Sequence, residues 1–551
     1  LRRDPLDRFI ACLVTIPRDR FNTENRERVG QILLETFGGS HLDWGLQLSE
    51  SVLARVHYVI HTPDGVPPGL DLAEIEGRLI KATRAWTDDL RAALIAEHGE
   101  QRGLRLYRRY EKAFPPGYRS DWVARSAVGD IARIEQLREG GGPIIVLYRP
   151  LEADRDVVRC KLFSEHEISL SDVLPTFENM GAKVADERPY EIVPEEAPAA
   201  WIYDFGLRCV AEDLEQVREL FQDAFLAVWR GELEDDGLNA LVMRAVLTGR
   251  EVTIIRAIAR YLRQGGIAQS DAYMERTLLA HSDIAALLVQ LFFVRFDPSG
   301  PDIGAIERLT GEIEQAIEGV QSLYEDRILR SFLSVVLALL RTSYFRSDEE
   351  GQLRPYLSFK VDPAKVPILP LPRPKYEIFV YSPRFEGVHL RGGKVARGGL
   401  RWSDRLEDFR TEILGLMKAQ MVKNALIVPV GSKGGFVLKR PPSEGGREAL
   451  VDEAIACYKL FLAGLLDLTD NIVGGAVVAP ERVIRYDDDD PYLVVAADKG
   501  TASFSDIANG VSAAYGFWLG DAFASGGSHG YDHKQMGITA RGAWESVKRH
   551  F

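Results

Sequence analysis

Cysteine is scarce in this chain. There are four in 551 residues, Cys12, Cys160, Cys209 and Cys457, and no two form a CxxC pair. That spacing argues against a disulfide framework, carries no zinc signature and suits a reducing cytoplasm. Long apolar runs are also lacking. The longest, Phe332 to Leu340, falls far short of the ~20 residues a membrane helix needs, so no membrane partner is expected. Basic charge is not in surplus: 68 Lys and Arg stand against 81 Asp and Glu, a net charge of −13 with both signs interspersed. This disfavours a general nucleic-acid or membrane-surface binder. No G-x-x-x-x-G-K-[ST] stretch offers an NTPase phosphate cradle, and no G-x-G-x-x-G follows a strand-like run. There is no initiating Met; the chain begins at Leu1, as expected of an internal piece of a longer protein.

What is present suits several folded cores. Hydrophobic residues make up 46% and charged residues 27%. The length suggests roughly three to five domains at about 150 residues each. Residues 9–61 read strand, helix, strand, strand. Phe9–Ile16 is β-rich. Asn22 or Thr23 caps a helix that carries Val29, Ile32 and Leu33 and stops at Gly38-Gly39. Leu53–Ile60 is the returning strand. The βαββ order predicts an open-faced α+β sandwich. Charged helix follows over 68–113, is broken at Pro115-Pro116, and resumes over about 120–139. A second unit repeats the element order: strands at 143–148 and 156–162, a helix capped near Ser169 or Ser171, and strands at 182–184 and 200–203.

Residues 211–346 read as almost continuous helix, a packed bundle. Pro355, Pro363, Pro367, Pro370, Pro372 and Pro374 then predict an extended linker. From Tyr376 onward strands alternate with helices: a strand at 376–381, a helix at about 405–422, a strand at 424–430, a helix at about 447–467 and a strand at 492–497. That pattern predicts an α/β domain. The fold class is multidomain α/β and α+β. The expected divisions are 1–114, an α+β module with a helical extension; 115–210, a second such module; 211–350, helical; 351–374, linker; and 375–551, the α/β domain.

The chemistry concentrates in residues 391–436. Arg397-Gly398-Gly399 and Lys433-Gly434-Gly435 each place a cation beside paired glycines, and both segments are expected to be tight turns. Between them, Gln420 and Lys423 lie one helical turn apart, so both side chains can meet one anion. Asp498 ends an apolar strand-like run. Elsewhere the signals are weaker. The acidic run Asp487–Asp490 reads as a solvated loop. His529 and His533 have the i, i+4 spacing of zinc ligands, but Gly530 stands where a metalloprotease needs glutamate, so no metal is expected.

These residues resemble the substrate domain of glutamate dehydrogenases and, with their flanks, the large NAD-dependent glutamate dehydrogenases of bacteria. Gly431-Ser-Lys433-Gly-Gly435 looks like the family's G-x-K-G-G segment, Gln420-Met-Val-Lys423 like its Q-x-x-K, and Arg397-Gly-Gly-Leu-Arg401 like its K-G-G-I-R. Val173–Gly181 and Asp186–Tyr190 resemble the ACT-type segments that precede the catalytic domain in those enzymes. The resemblance implies a multidomain enzyme with ACT-like modules, a helical domain and a substrate domain. It implies NAD-dependent deamination of L-glutamate to 2-oxoglutarate and ammonium.

By the resemblance, Lys433 is the catalytic base and Asp498 passes a proton at the amino nitrogen. Gln420 and Lys423 hold the α-carboxylate, beside Gly398 and Gly399. Arg397, where the family has lysine, meets the distal carboxylate. Lys418 and Arg401 stay open between site and surface. The Lys423-to-Lys433 interval is shorter, and the Lys433-to-Asp498 interval longer, than in the small enzymes of the family; both fit the large variant. Gly537–His550 resembles the helix that leads into the nucleotide domain, so the NAD-binding residues are expected beyond Phe551. A cytoplasmic homo-oligomer, tetramer or hexamer, and amino-acid effectors at the ACT-like modules are further implications. Two alternatives remain: another amino-acid dehydrogenase of the superfamily, and a regulatory amino-acid-binding module.

Overall fold

The computed structural model describes the chain except residues 7, 48–51, 64, 68, 141, 150–156, 210–213, 349, 424–429, 502 and 529–535, and except the side chains of 19, 157, 209, 423, 538 and 539. The expected strand at 424–430 therefore lies outside the described residues save Val430, and the histidine pair 529/533 lies outside them altogether. The chain forms two compact units. One comprises Leu1–Ile144, Lys161–Ile168 and Arg188–Asp204; the other comprises Ile145–Cys160, Ser169–Glu187 and Phe205–Phe551.

The N-terminal sheet follows the reading of 9–61. Strands β1 (Arg2–Arg3) and β2 (Phe9–Pro17), helix α1 (Thr23–Thr36), and strands β3 (His41–Gln47) and β4 (Leu53–His61) form an antiparallel sheet in the order β1-β2-β4-β3. Strand alternation decides the inside face: Ala54, Val56, Tyr58 and Ile60 are buried, while Leu53, Arg55 and His57 are exposed. Val56, Tyr58 and Ile60 join Val29, Leu33 and Phe37 in one core. Asn22 is the cap of α1, its side chain accepting from the Asn25 amide at 2.8 Å. Gly38, at φ +62°, takes the left-handed conformation that closes the helix. The unit continues through α2 (Leu72–Ala82), α3 (Trp86–Tyr110), α4 (Pro116–Asp121) and α5 (Ala124–Leu137).

The second sheet is built from β5 (Ile144–Tyr148), β6 (Val157–Ser164), α6 (Leu170–Asn179), β7 (Ala182–Ile192) and β8 (Ala200–Cys209), in the order β5-β6-β8-β7. Strand order and helix position repeat those of the first sheet, so the two modules share a topology without sharing a sequence. Ser169 occupies the cap position of α6, but its hydroxyl is turned to Ser171 at 2.7 Å rather than to the helix.

Helices α7 (Leu214–Trp229), α8 (Leu241–Arg244), α9 (Gly249–Gln264), α10 (Asp271–Ala280), α11 (Ser282–Phe296), α12 (Ile303–Glu318) and α13 (Leu323–Ala338) follow. Thr248 and Glu251 start α9 with a capping box: the Glu251 amide donates to the Thr248 hydroxyl at 3.1 Å and the Thr248 amide to the Glu251 carboxylate at 2.7 Å.

The last part of the chain is organised by a seven-stranded mixed sheet. Its strands are β9 (Leu339–Thr342), β10 (Leu357–Val361), β11 (Tyr376–Tyr381), β12 (Phe385–Arg391), β13 (Ala396–Trp402), β14 (Val430–Leu438) and β17 (Val495–Ala497). The order is β17-β13-β14-β12-β11-β10-β9. Pairing is antiparallel from β9 to β14 and parallel from β14 through β13 to β17. Helix α14 (Phe409–Lys423) covers one face. Helix α15 (Gly446–Leu466) covers the other, where Phe461 and Leu465 share a core with Ile378, Val380 and Phe436. A hairpin, β15 (Asn471–Val473) and β16 (Ala476–Val478), turns at Gly474 and Gly475 with φ +59° and +83°. Helices α16 (Ser505–Ala514) and α17 (Ile538–His550) close the chain.

Four expectations are corrected here. Leu339–Thr342, placed in the helical region, is a buried edge strand. The proline-rich stretch 351–374 is not simply a linker, because it contains the fully buried β10; Pro355 and Pro363 flank this strand, so no ladder amide is lost. The strand expected over 492–497 begins only at Val495. The acidic run is not a solvated loop. Asp487 pairs with Arg341 at 2.7 Å and Lys360 at 2.5 Å, and Asp490 pairs with Lys360 at 2.5 Å and with both terminal nitrogens of Arg391. Asp470 completes the group, 2.8 Å from Arg341. Three fully or almost fully buried cations, one each on β9, β10 and β12, are thus balanced by aspartates that tie the loop to the sheet.

Candidate active site

Side chains at one level of a parallel strand pair point to the same face. The β13–β14 register sets Arg397 opposite Gly431 and Arg401 opposite Gly435, and the same register brings Lys433 beside Gly399. Each cation therefore stands next to a glycine on the neighbouring strand, on the face covered by α14.

These glycines are not turn residues, which corrects the reading of Gly398-Gly399 and Gly434-Gly435. All lie within strands, and none of Gly398, Gly399, Gly431, Gly434 or Gly435 has a left-handed φ. Close approach requires them instead. A Cβ on Gly398 would sit 1.6 Å from the Ser432 carbonyl oxygen, on Gly434 2.4 Å from Leu400, on Gly435 2.5 Å from Ile413, and on Gly431 2.8 Å from Gln420.

Lys433 and Asp498 meet. The Lys433 Nζ donates to Asp498 Oδ2 at 2.7 Å, and Arg401 Nε reaches the same oxygen at 3.3 Å. Arg401 also donates to Glu412 Oε1 at 2.8 Å, and the Ser403 hydroxyl to Glu412 Oε2 at 2.6 Å. Asp498 leaves the end of β17 and is steadied by Thr501. The Asp498 amide donates to the Thr501 hydroxyl at 3.1 Å, and that hydroxyl donates to the Leu400 carbonyl at 2.7 Å. Burial alone would raise the Asp498 carboxyl, but the hydrogen bond and charge of Lys433, helped by Arg401, hold it below its ordinary value. Glu412 is lowered in the same way: Ser403 and Arg401 outweigh its partial burial. Lys433 and Asp498 keep 14% and 19% side-chain exposure, enough to reach a small molecule while excluding most water.

The other predicted residues fall into place unevenly. Arg397 is exposed and makes no ion pair among the described residues. Gln420 is half-buried against Gly431. Lys423 ends α14, but its side chain is outside the described residues. Lys418 is exposed on α14, whereas Arg401 belongs to the site. Sequence reasoning missed Glu412 and Ser403. A carboxylate in the first turn of the helix after the Arg401 strand was the available signal, but carboxylates are common there because they favour the helix N-terminus. Among the described residues no group of His, Cys, Asp and Glu is placed to hold a metal.

Lys433 and Asp498 form a close pair across which a proton can pass, and Arg397, on the same face of the sheet, is an exposed cation without an ion pair among the described residues. Comparison with known proteins identifies relatives of the chain. Residues 312–551 match the family described as Bacterial NAD-glutamate dehydrogenase, catalytic domain. Residues 1–87 and 144–219 match the glutamate dehydrogenase ACT2 and ACT3 domains, and 93–137 and 233–298 match its helical motifs 2 and 3. NAD-specific glutamate dehydrogenases of Halomonas elongata, Pseudomonas aeruginosa and Mycobacterium tuberculosis are 51%, 50% and 46% identical over all of this chain, which covers 34%, 35% and 36% of their lengths. All of these matches are to segments of large bacterial NAD-glutamate dehydrogenases, and the chain spans about a third of the length of the curated relatives it matches.

Proposed function

We propose that the complete enzyme interconverts L-glutamate with 2-oxoglutarate and ammonium, with NAD as the hydride carrier. The Lys433–Asp498 contact, set among glycine-flanked cations, is the observation that carries this reading. In the deaminating direction Lys433 takes a proton from the water that attacks the imine carbon, and Asp498 gives a proton to the departing nitrogen. Arg401 holds Asp498 in reach of Lys433. Gln420 and Lys423 hold the α-carboxylate. Arg397 meets the distal carboxylate, where a guanidinium allows a two-point grip. No strand in this chain leads into a G-x-G-x-x-G turn that would seat a pyrophosphate, so no NAD contact is assigned to its residues and their roles are confined to substrate and protons. On the same reading the ACT-like modules take amino-acid effectors, and the enzyme is a cytoplasmic homo-oligomer.

An amino-acid dehydrogenase for apolar substrates would need an apolar residue at position 397; Arg397, exposed and without an ion pair among the described residues, favours a dicarboxylate. The test is kcat/KM of the complete enzyme with NAD on L-glutamate and on L-leucine. Glutamate should be strongly preferred; a preference for leucine would overturn the reading.

A further inference from the structure

A second place in the catalytic unit has the features of a binding site and lies away from Lys433. A cavity of about 720 Å³ is enclosed by the C-terminal end of α7, the N-terminal end of α9, the segment before β10 and the β11–β12 turn. Its wall is largely apolar, from Ala227, Leu233 and Leu353, and it carries Arg250, which has no carboxylate partner among the described residues, and Arg354, whose partner Asp467 is shared, with Asp223 and Glu232 elsewhere on the wall.

Arg250 is half-buried, with its guanidinium over the Tyr344 ring at 4.5 Å. It donates to the Tyr344 backbone carbonyl and has no carboxylate within ion-pair distance among the described residues. Burial pulls its pKa below the ordinary arginine value. Arg354 reaches Asp467 only at 3.5 Å, and its Nε is buried without a hydrogen bond. Asp467 is already engaged by Tyr356 at 2.7 Å, Tyr515 at 2.9 Å and Arg346 at 3.0 Å. In the same unit buried Arg256, Arg341 and Arg410 each have a close aspartate or glutamate, and Arg295, which has none among the described residues, donates to the Leu337 and Leu339 carbonyls. A cation withdrawn from water without an anion is costly, and an anion supplied from solution removes that cost.

We propose that this cavity binds a small organic carboxylate with an apolar body, its charge on Arg250 and Arg354 and its hydrocarbon part against Ala227, Leu233 and Leu353. Occupancy is felt at the active site through the β11–β12 turn. Ser382 and Arg384 line the cavity, and Lys439, which directly follows β14, donates its amide to the Arg384 carbonyl at 2.8 Å and its ammonium to the Ser382 carbonyl at 3.2 Å. Strand β14 carries Lys433.

The test is calorimetry of the 551-residue chain with pentanoate, beside 1-pentanol as the same body without charge. Wild type should bind pentanoate saturably and pentanol far more weakly. Arg250→Gln should weaken pentanoate binding about tenfold or more. Ala227→Leu, which fills the cavity without touching a charge, should do the same and covers the case in which the arginine variant folds poorly. Lys433→Ala should leave binding intact, because the substrate lane is not the site. Absence of saturable binding to wild type, equal binding by Arg250→Gln, or loss of binding in Lys433→Ala alone would overturn the proposal. In the complete enzyme, pentanoate should shift the KM for glutamate in wild type and not in Arg250→Gln; an unshifted wild-type KM would overturn the link to β14.

Discussion

The seven-stranded sheet holds two groups of charged residues built from the same side-chain types and put to opposite uses. Under its antiparallel half, Arg341, Lys360 and Arg391 are answered by Asp470, Asp487 and Asp490, with almost no exposure on either side. At its parallel half, Arg397, Arg401 and Lys433 share, among the described residues, only Asp498 and Glu412, stand beside glycines, and keep contact with solvent. The balanced group has nothing left to offer a ligand. The other has a cation to spare and room made by missing side chains. Saturation and spacing, rather than charge density, separate a group that holds the fold from the one proposed to handle a substrate.

A third group reverses the imbalance. Around α9 and α10, Glu234, Asp236, Asp271, Glu275 and Glu386 face Arg256, Arg260, Arg263 and Lys439, one acid more than cations, and Glu275 has no ion pair among the described residues. Burial, then the nearby Asp236 and Asp271, push its carboxyl up to about 7.

Breaking the balanced group should have the largest effect on stability. Asp490→Asn leaves Arg391 buried without its carboxylate and Lys360 with Asp487 alone, and removing one partner of a buried pair costs about 3–5 kcal/mol. Denaturant unfolding of the chain should show the loss, and an unchanged midpoint would mean that the group is not structural. Asp490 also sets an acid limit. Burial would raise it, but Arg391 and Lys360 hold it well below the usual carboxylate range, so its stabilisation is present above the ordinary carboxylate pKa and lost as pH falls below that.

Breaking the open group should touch binding and spare stability. Arg397→Leu removes a charge-assisted contact worth about 1.5–3 kcal/mol, which should raise the glutamate KM of the complete enzyme roughly tenfold to a hundredfold with the melting temperature unchanged. An unchanged KM would show that Arg397 does not meet the substrate. The smallest effect belongs to the acid-rich group. The folded chain binds the Glu275 proton more tightly than the unfolded chain, so stability declines as pH rises from about 4.5 towards about 7. Glu275→Gln should flatten that slope in melting curves; a slope that persists would place its cause elsewhere.

Much of this was legible in the sequence, for reasons that can be named. Alternation in Leu53–His61 and the Asn22 cap gave the first α+β module, and the resemblance to glutamate dehydrogenases singled out Lys433 and Asp498, which the fold brings into contact. The glycine pairs misled because paired glycines read locally as turns. Their actual cause, the approach of Ser432, Leu400 and Ile413, exists only once the strands are in register. The Asp487–Asp490 run misled for the same reason: its cations come from strands more than ninety residues earlier in the chain. β10 was hidden by the prolines that bracket it. Ser403 carried no local signal of its role, and the signal at Glu412, a carboxylate in the first turn of a helix, is common for its own sake.

Lys433 carries the proposed proton chemistry. Its most direct test is turnover of Lys433→Ala in the complete enzyme at saturating glutamate, with the melting temperature and glutamate affinity measured alongside. Loss of a positioned acid–base group should lower turnover about 100- to 10,000-fold while folding and substrate binding persist. A variant that keeps more than about a tenth of wild-type turnover would contradict the role given to the Lys433–Asp498 pair.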